Sequence, residues 1–134
     1  MKITCVAGLP GSGKSHLLYR MSDQYAPLKS WVVDDITELG QLPGVHIVHN
    51  ISHLMISDPH FCISSTRQLA EKLLMDWYQI TPQWIFFEND PPQCLLNVRM
   101  RNDGRQVHSL IHALSKVYEI PSHAEQVTPV YKSS

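Results

Sequence analysis

The chain has 134 residues, of which 43% are hydrophobic and 17% are charged, and its formal net charge is −1 at pH 7. The low charged fraction excludes an intrinsically disordered chain, and the length suits one domain with its own core. The near-zero net charge argues against a protein that coats nucleic acid or anionic membrane by bulk electrostatics. The sequence has no apolar run of membrane-spanning length and no signal-peptide pattern, so we expect one cytoplasmic domain, residues 1–134.

Short apolar runs alternate with amphipathic helical segments along the chain. Strands are predicted at 3–7, 31–33, 53–57 and 84–87, with a late edge strand at 127–131, and a short strand at 45–48 is left open. Helices are predicted at 15–24, 65–78 and 106–119, and a further helix opens at Pro91 or Pro92 and ends at 102–104. Ser65 or Thr66 is the expected N-cap of the second helix. Continuous apolar strands separated by helices predict an α/β fold with four or five mainly parallel strands between two helical layers.

The first strand is followed by a phosphate-binding motif. Residues 8–15 read Gly-Leu-Pro-Gly-Ser-Gly-Lys-Ser and match the Walker A pattern G-x-x-x-x-G-K-[ST] at every fixed position. Lys14 is expected to reach the β and γ phosphates of ATP, and the Ser15 hydroxyl to hold Mg²⁺. The helix that follows adds the positive end of its dipole, so the motif predicts a P-loop NTPase fold. The residues expected around the nucleotide are Gly8, Pro10, Gly11, Ser12, Gly13, Lys14, Ser15 and His16.

Carboxylates follow three of the predicted strands. In an open α/β sheet, ligands bind outside the carboxyl ends of the strands. Asp58 is therefore expected to hold hydrated Mg²⁺, unless it only caps the turn that follows. Asp34 is the expected general base for an attacking hydroxyl, with Asp35 as the alternative base and a purely structural pair also open. Glu88 and Asp90 are expected to cap the next helix and to complement its dipole.

Three arginines, at 99, 101 and 105, surround the predicted helix break at 102–104. Arginines on a closing flap can neutralise the charge of a transferring phosphoryl group while water is excluded. We therefore predict a short helical lid over about residues 95–107 that delivers Arg101 and Arg105. The alternative is a solvated helix end in which Arg99 pairs with Asp103.

The cysteines and histidines carry no separate chemistry in this interpretation. Cys5, Cys62 and Cys94 are odd in number, far apart and set among apolar residues, so they are predicted to be reduced core residues. The clustered histidines at 46, 49 and 53 lack the companion cysteine of a zinc pattern.

Taken in order, these motifs resemble those of P-loop kinases of the adenylate-kinase-like class. The nearest likeness is to the kinase domain of phage polynucleotide 5′-hydroxyl kinases, and it covers about residues 1–120. The resemblance implies transfer of the γ phosphoryl group of Mg-ATP to an acceptor hydroxyl, with Asp34 as the base. It also implies that Lys14 and Ser15 contact phosphate and magnesium, and that Arg101 or Arg105 stabilises the transition state from the lid.

The chain departs from that family where the family grips nucleic acid. Those kinases carry Arg just before the acidic pair and again shortly after it, whereas this chain has Val33 and Thr37. The D-x-D-x-T signature of the phosphatase half of bifunctional relatives is absent. The expected acceptor is a hydroxyl or phosphate of a nucleotide or of a nucleic-acid end. A nucleoside or nucleoside-monophosphate kinase, and a nucleotide-dependent switch that acts on a protein partner, stay open as alternatives.

Overall fold

The computed structural model of the chain describes residues 2–24, 30–33, 52–101, 107–122, 124 and 126–127. Strands and helices alternate along these residues. They are β1 (Lys2–Ala7), α1 (Lys14–Gln24), β2 (Ser30–Val33), β3 (His53–Ser57), a 3₁₀ turn (Pro59–Cys62), α2 (Ser64–Tyr78), β4 (Gln83–Phe87), α3 (Pro91–Arg101), α4 (His108–Val117) and β5 (Gln126–Val127). The strand left open at 45–48 lies outside the described residues, as does the predicted edge strand beyond residue 127.

The strands form one sheet in the order β2-β3-β1-β4-β5. Every neighbouring pair is parallel. This confirms the predicted α/β class, and the described ranges contain five strands, the larger of the two predicted numbers. Because all strands run the same way, their carboxyl ends lie at one edge of the sheet, and the loops after β1, β3 and β4 leave from that edge.

The two faces of the sheet are covered by different helices. On one face, Leu18 of α1 packs with Val6, Met55 and Phe87. On the other face, α2, α3 and α4 pack on β1, β3 and β4 to form the larger core. The helix after β1 thus packs on one face of the sheet, and the helix after the adjacent β3 packs on the other face. The crevice between the carboxyl ends of these two strands is therefore a topological switch point. Burial on both faces also explains why these strands read as unbroken apolar runs.

The start of α2 differs from the prediction. Ser65 and Thr66 lie inside the first turn of α2, which begins at Ser64, so the predicted N-cap is wrong. Ile63 has the cap position and makes no side-chain hydrogen bond there. Its N–H instead donates to the His60 carbonyl as the last bond of the 3₁₀ turn. The chain enters α2 directly from that turn, so no separate polar cap begins the helix.

Some large apolar residues of the helices are exposed. Leu69 of α2 is 51% exposed and Val117 of α4 is 49% exposed. On α2 the buried face instead includes Arg67 and Ala70. α4 ends two residues earlier than predicted, and the buried Tyr118 follows it. No helix in the described ranges is long and apolar enough to cross a bilayer.

Tyr118 joins the carboxyl ends of two strands. Its buried hydroxyl lies between the carbonyl oxygens of Ala7 and Phe87, the last residues of β1 and β4. The bond to Phe87 is the shorter, and Ala7 O lies 3.3 Å from the hydroxyl. Burial raises the pKa of Tyr118 far above its ordinary value, so the phenol keeps its proton and acts as a donor.

His53 is a buried titratable residue at the first position of β3. Its Nε2 atom lies 2.7 Å from the Thr4 hydroxyl oxygen. Burial lowers the pKa of His53 below 6.5, and the charge of Lys2 lowers it further. A lowered pKa means that the fold favours the neutral ring. This stabilisation is therefore complete above pH 6.5 and is lost as the pH falls through the folded-state pKa.

Tyr118→Phe keeps the ring and removes the shared donor. We expect the free energy of unfolding to fall by about 1–2 kcal/mol, since a buried carbonyl loses its partner. Urea denaturation measures the change. Tyr19→Phe is the matched control, because Tyr19 is 57% exposed on α1 and its substitution should leave stability unchanged. Equal stability of Tyr118→Phe and the wild type would contradict the assigned hydrogen bond.

His53→Gln keeps a polar group beside Thr4 and removes the titration. We expect the wild type to lose more unfolding free energy than this variant between pH 7 and pH 5, because the ring of His53 takes up a proton more readily in the unfolded state than in the folded state. Urea denaturation at the two pH values gives both differences. His112→Gln, at an exposed position of α4, should keep the wild-type pH dependence. If His53→Gln also keeps the wild-type pH dependence of stability, that dependence does not come from His53.

Candidate functional site

The Walker A residues, 8–15, connect β1 to α1 at the carboxyl edge of the sheet. The first part of this P-loop is a tight turn, in which the Ser12 N–H donates to the Leu9 carbonyl at 3.1 Å. Gly11 has a φ of +83°, and Pro10 precedes it. Proline at the second position and a positive-φ glycine at the third are typical of a type II β-turn. The sequence thus builds the turn from a proline, whose φ is fixed, and a glycine, which adopts a positive φ without steric cost.

Two glycines let this loop approach its neighbours. A Cβ on Gly11 would lie 2.6 Å from the Cys94 carbonyl oxygen and 2.7 Å from a methyl carbon of Val98. A Cβ on Gly8 would lie 3.0 Å from the Cβ of Phe87. The loop is therefore pressed against both α3 and β4, with no room for side chains at these two positions.

The second part of the loop runs into α1. Gly13 has a φ of +102°, and its carbonyl accepts the Leu17 N–H at 3.0 Å. Lys14 is only 5% exposed, and its ammonium donates to the first carbonyl of the turn at 3.1 Å. Ser15 is half-buried and His16 is exposed on α1. The loop thus holds its cation inside and places the helix N-terminus at the sheet edge.

Ser12 provides the clearest sign of a ligand in this loop. Its side chain is fully buried, and its hydroxyl has no hydrogen-bond partner among the described residues. A buried hydroxyl without a partner costs about 1–3 kcal/mol, and folded proteins keep few such groups. The Ser12 hydroxyl and the Lys14 ammonium are donors of the kind that phosphate oxygens accept. The residues present therefore fit a phosphate group.

The helix α3 contacts the loop through a polar side chain. Asn97 is 3% exposed, and its Nδ2 donates to the Gly11 carbonyl at 2.8 Å. Its Oδ1 accepts a bond from Gln93 Nε2 at 2.9 Å. The Asp90 carboxylate accepts the Gln93 N–H at 3.2 Å, which confirms the predicted cap, and α3 begins at Pro91 as predicted. Its first turns form one wall of the P-loop.

Asp58 follows β3 at the same edge, and its side chain is 3% exposed. Its Oδ1 accepts two hydrogen bonds, from the His60 N–H at 2.7 Å and from His60 Nδ1 at 2.8 Å. This is the turn-capping role that the sequence left open. Since Val6 pairs with Ser57, Asp58 follows a strand directly beside β1, about 5 Å away. Its role as a Mg²⁺ ligand stays a prediction, and Oδ1 is already engaged.

Two buried thiols flank the loop, Cys62 from the 3₁₀ turn and Cys94 from α3. All three cysteines are free and buried, as predicted. Burial raises the pKa of Cys62 to about 12 and that of Cys94 to about 11, and the charge of Lys14 opposes both shifts. Cys62 also accepts a hydrogen bond from the Gly8 backbone N–H. Protonated thiols thus line the interior beside Lys14 and take no part in acid–base chemistry there.

A buried arginine fixes the turn that carries Asp58. Arg67 donates to the Phe61 carbonyl at 2.6 Å and to the Glu119 carbonyl at 2.8 Å. Its guanidinium also lies 5.2 Å from the centre of the Phe86 ring. The 3₁₀ turn and the segment after α4 are therefore joined through one side chain on α2.

Three buried polar residues were not predicted from the sequence, namely Arg67, Asn97 and Tyr118. Arg67 and Asn97 lie on buried helical faces, whereas Tyr118 is buried directly after α4, and spacing alone could have flagged Asn97. It stands three residues after Cys94 and directly before Val98, and it lies on the buried stripe of α3 that these two residues form. A polar residue on such a stripe signals a buried hydrogen bond, although the sequence does not show its partner.

Several predicted site residues lie outside the described part of the chain. These are Asp34, Asp35 and Arg105, and of Arg101 only the helical backbone at the end of α3 is described. Their roles stay predictions, as does the lid at 95–107, of which residues 95–101 belong to α3. The strand before Asp34, β2, ends at Val33. It is separated from β1 by β3 and thus lies about 10 Å from β1. No three His, Cys, Asp or Glu residues converge as a metal group in the described ranges.

Gly11→Ala tests the close approach of the loop to α3. We expect the free energy of unfolding to fall by about 2–4 kcal/mol, because the new Cβ meets both a positive φ and the backbone of α3. Pro10→Ala is the control, since alanine fits that position of the turn and should cost only about 0.4–1 kcal/mol. Urea denaturation compares the two. Similar losses for both variants would show that α3 is not pressed on the turn.

The comparisons with known proteins agree with this geometry. No model of a known protein family matches the chain. The structure is similar to the crystal structure of a gluconokinase from Sinorhizobium meliloti 1021, with a TM-score of 0.66 over 96% of this chain and 82% of that chain, at 13% identity. This likeness shows the fold and confirms the predicted P-loop α/β class. In sequence, the chain is 30% identical to the uncharacterized protein R277 of Acanthamoeba polyphaga mimivirus, over 139 aligned positions that cover 98% of both chains. The chain belongs to the same family as the mimivirus protein R277.

Proposed function

We propose that the protein is an ATP-dependent phosphotransferase. It moves the γ phosphoryl group of Mg-ATP to a hydroxyl or phosphate of a nucleotide or of a nucleic-acid end. The observation that carries the proposal is the P-loop itself, which buries a Ser12 hydroxyl without a partner among the described residues and also buries Lys14. The similar fold of a bacterial gluconokinase supports phosphoryl transfer as the reaction class and leaves the acceptor to experiment.

The P-loop residues would hold the triphosphate. Lys14 is the cation for the β and γ phosphates, and Ser12 adds a hydroxyl donor. Ser15, in the first turn of α1, would hold Mg²⁺ together with the Asp58 carboxylate. Such a set suits Mg²⁺, which binds through one or two protein oxygens, water and the substrate phosphates. When bound, Mg²⁺ neutralises charge on the phosphate oxygens and orients them.

Asp34 is proposed as the general base. It would accept the proton of the acceptor hydroxyl while that oxygen attacks the γ phosphorus, and the bond from that phosphorus to the bridging oxygen of ADP breaks. The position of β2 supports this role, because its last residue, Val33, stands at the same sheet edge as the P-loop. Arg101 and Arg105 would neutralise charge on the transferring group.

The cellular setting is proposed from the cysteines. All three thiols are free and buried, which suits a protein that works in a reducing cytoplasm. A nucleotide and its acceptor are the proposed small partners.

Incubation with γ-labelled ATP and Mg²⁺ tests the reaction. The acceptor panel contains oligonucleotides with 5′-hydroxyl ends, nucleosides, nucleoside monophosphates and gluconate. We expect label on a nucleotide or oligonucleotide. Asp34→Asn should slow transfer by a factor of about 10²–10⁴, the range for general bases, and still bind ATP. Lys14→Ala should lose ATP binding and transfer together, and Asp76→Asn, at an exposed carboxylate of α2, should keep both.

The pattern of label separates the alternatives. Label on nucleosides or nucleoside monophosphates alone would identify a nucleoside or nucleotide kinase, the assignment that Val33 in place of arginine favours. Phosphate release without a labelled acceptor would favour a nucleotide-dependent switch. Label on gluconate alone would contradict the proposed acceptor class, and a wild type that does not bind ATP would contradict the proposal entirely.

A further inference from the structure

Asn97 of α3 lies outside the nucleotide-binding motif and makes a polar contact with the P-loop. The Asn97 carboxamide is buried to 97% and bonds through both of its polar atoms. Nδ2 donates to the Gly11 carbonyl at 2.8 Å, and Oδ1 accepts from Gln93 at 2.9 Å. A buried amide is costly without hydrogen bonds, so this side chain is restricted to one orientation. That orientation aims its donor at the P-loop.

The contact acts on the part of the loop that also engages Lys14. Gly11 is the third residue of the type II turn, and the first carbonyl of that turn, from Leu9, accepts the Lys14 ammonium at 3.1 Å. The same Leu9 carbonyl accepts the Ser12 N–H. The turn is therefore held at one end by Lys14 and near the other end by Asn97. A shift of the turn would move both phosphate-facing groups, the Lys14 ammonium and the Ser12 hydroxyl.

Packing alone does not fix the turn in this place. A glycine has no side chain with which to lock its own backbone, and Gly11 adopts a positive φ that glycine leaves as readily as it enters. The neighbouring atoms of Cys94 and Val98 limit how closely the loop approaches α3, but they do not fix the direction of its carbonyl. A directional hydrogen bond to that carbonyl does so.

We propose that Asn97 is a positioning residue for the P-loop, which holds the Gly11 carbonyl so that the turn keeps its phosphate-accepting shape. The inference rests on the proposed function, since it names the residue outside the motif that prepares the nucleotide site. It also assigns α3 a role in nucleotide binding that does not depend on the predicted lid residues after Arg101.

Binding of the fluorescent analogue mant-ATP with Mg²⁺ tests the inference in the full chain. Asn97→Ala and the isosteric Asn97→Leu should each raise the Kd about tenfold, the effect expected for one lost hydrogen bond. Asn89→Ala is the control, since Asn89 makes the same donor–acceptor bond, from Nδ2 to the Ser115 carbonyl at 2.8 Å, and that acceptor does not belong to the P-loop. It should keep the wild-type Kd. Because the Kd is measured on folded protein, a loss of stability alone would not move it.

Amide hydrogen exchange of residues 8–15 without nucleotide gives an independent readout. Exchange should be faster in both Asn97 variants than in the wild type and in Asn89→Ala, because the turn loses its anchor. An unchanged Kd together with an unchanged exchange rate in the Asn97 variants overturns the inference. If Asn97→Leu does not fold, the Kd and the exchange rate are measured on Asn97→Ala alone.

The outcome is separable from that of the proposed function. Binding of mant-ATP by the wild type without label transfer would refute the phosphotransferase and leave the positioning role supported by the Kd differences. Transfer by the wild type, with affinity and loop exchange both unchanged in the Asn97 variants, would support the enzyme and refute the positioning role. If the wild type bound no analogue, the proposed function would fail, and unchanged loop exchange would refute the anchor as well.

Discussion

The close approach of the P-loop to α3 is the constraint on which the rest of the site depends. Gly11 lies so near the backbone of α3 that even one added carbon would overlap the Cys94 carbonyl oxygen. This contact requires glycine for two reasons at once, its positive φ and the missing side chain. It also makes α3 a wall of the proposed nucleotide site. The glycines of the motif therefore serve the packing of the domain as well as the shape of the loop.

Polar side chains complete the carboxyl edge around this contact. A parallel sheet leaves backbone groups unpaired where its strands end, and buried groups of this kind need partners. Tyr118 serves the ends of β1 and β4, and Asn97 serves the turn after β1. Arg67 serves the 3₁₀ turn after β3, while Asp58 accepts the backbone and ring N–H of His60 within that turn. Each loop that leaves this edge near β1 is thus tied to a helix or to itself. Hydrogen bonds from buried side chains thus satisfy backbone groups at this edge of the sheet.

The sequence predicted the parts of the fold that depend on local pattern. The strand at 53–57 was predicted to the residue, because an apolar run bounded by turn residues defines both of its ends. α1 and α3 followed from the glycine motif and from Pro91. The N-cap at Ser65 or Thr66 was wrong, since the start of α2 is set by the preceding 3₁₀ turn rather than by its own polar residues.

The candidate site was predictable only in part, for a related reason. The P-loop is a contiguous motif, so its residues were found from spacing alone. Asn97 and Tyr118 act on residues 86 and 111 positions away in the chain, and no local pattern reveals such partners. Asp58 was placed at the right edge, yet its hydrogen bonds to His60 depend on the turn that Pro59 begins. The long-range hydrogen-bond partners of buried polar groups thus could not be predicted from the sequence.

The distribution of charge bears on the acceptor. Recognition of a triphosphate by a P-loop relies on local groups, here a buried lysine and a buried hydroxyl, so it needs no excess of positive charge. Binding to the backbone of a long nucleic acid does rely on many cations. Residues 34–52, which follow β2, contain no lysine or arginine, and the net charge of the chain is −1. The segment that begins with the proposed base therefore lacks the cations to grip a polyanion. This favours an acceptor recognised by its hydroxyl, a nucleoside-sized molecule or the last residue of a short strand, over an extended nucleic acid.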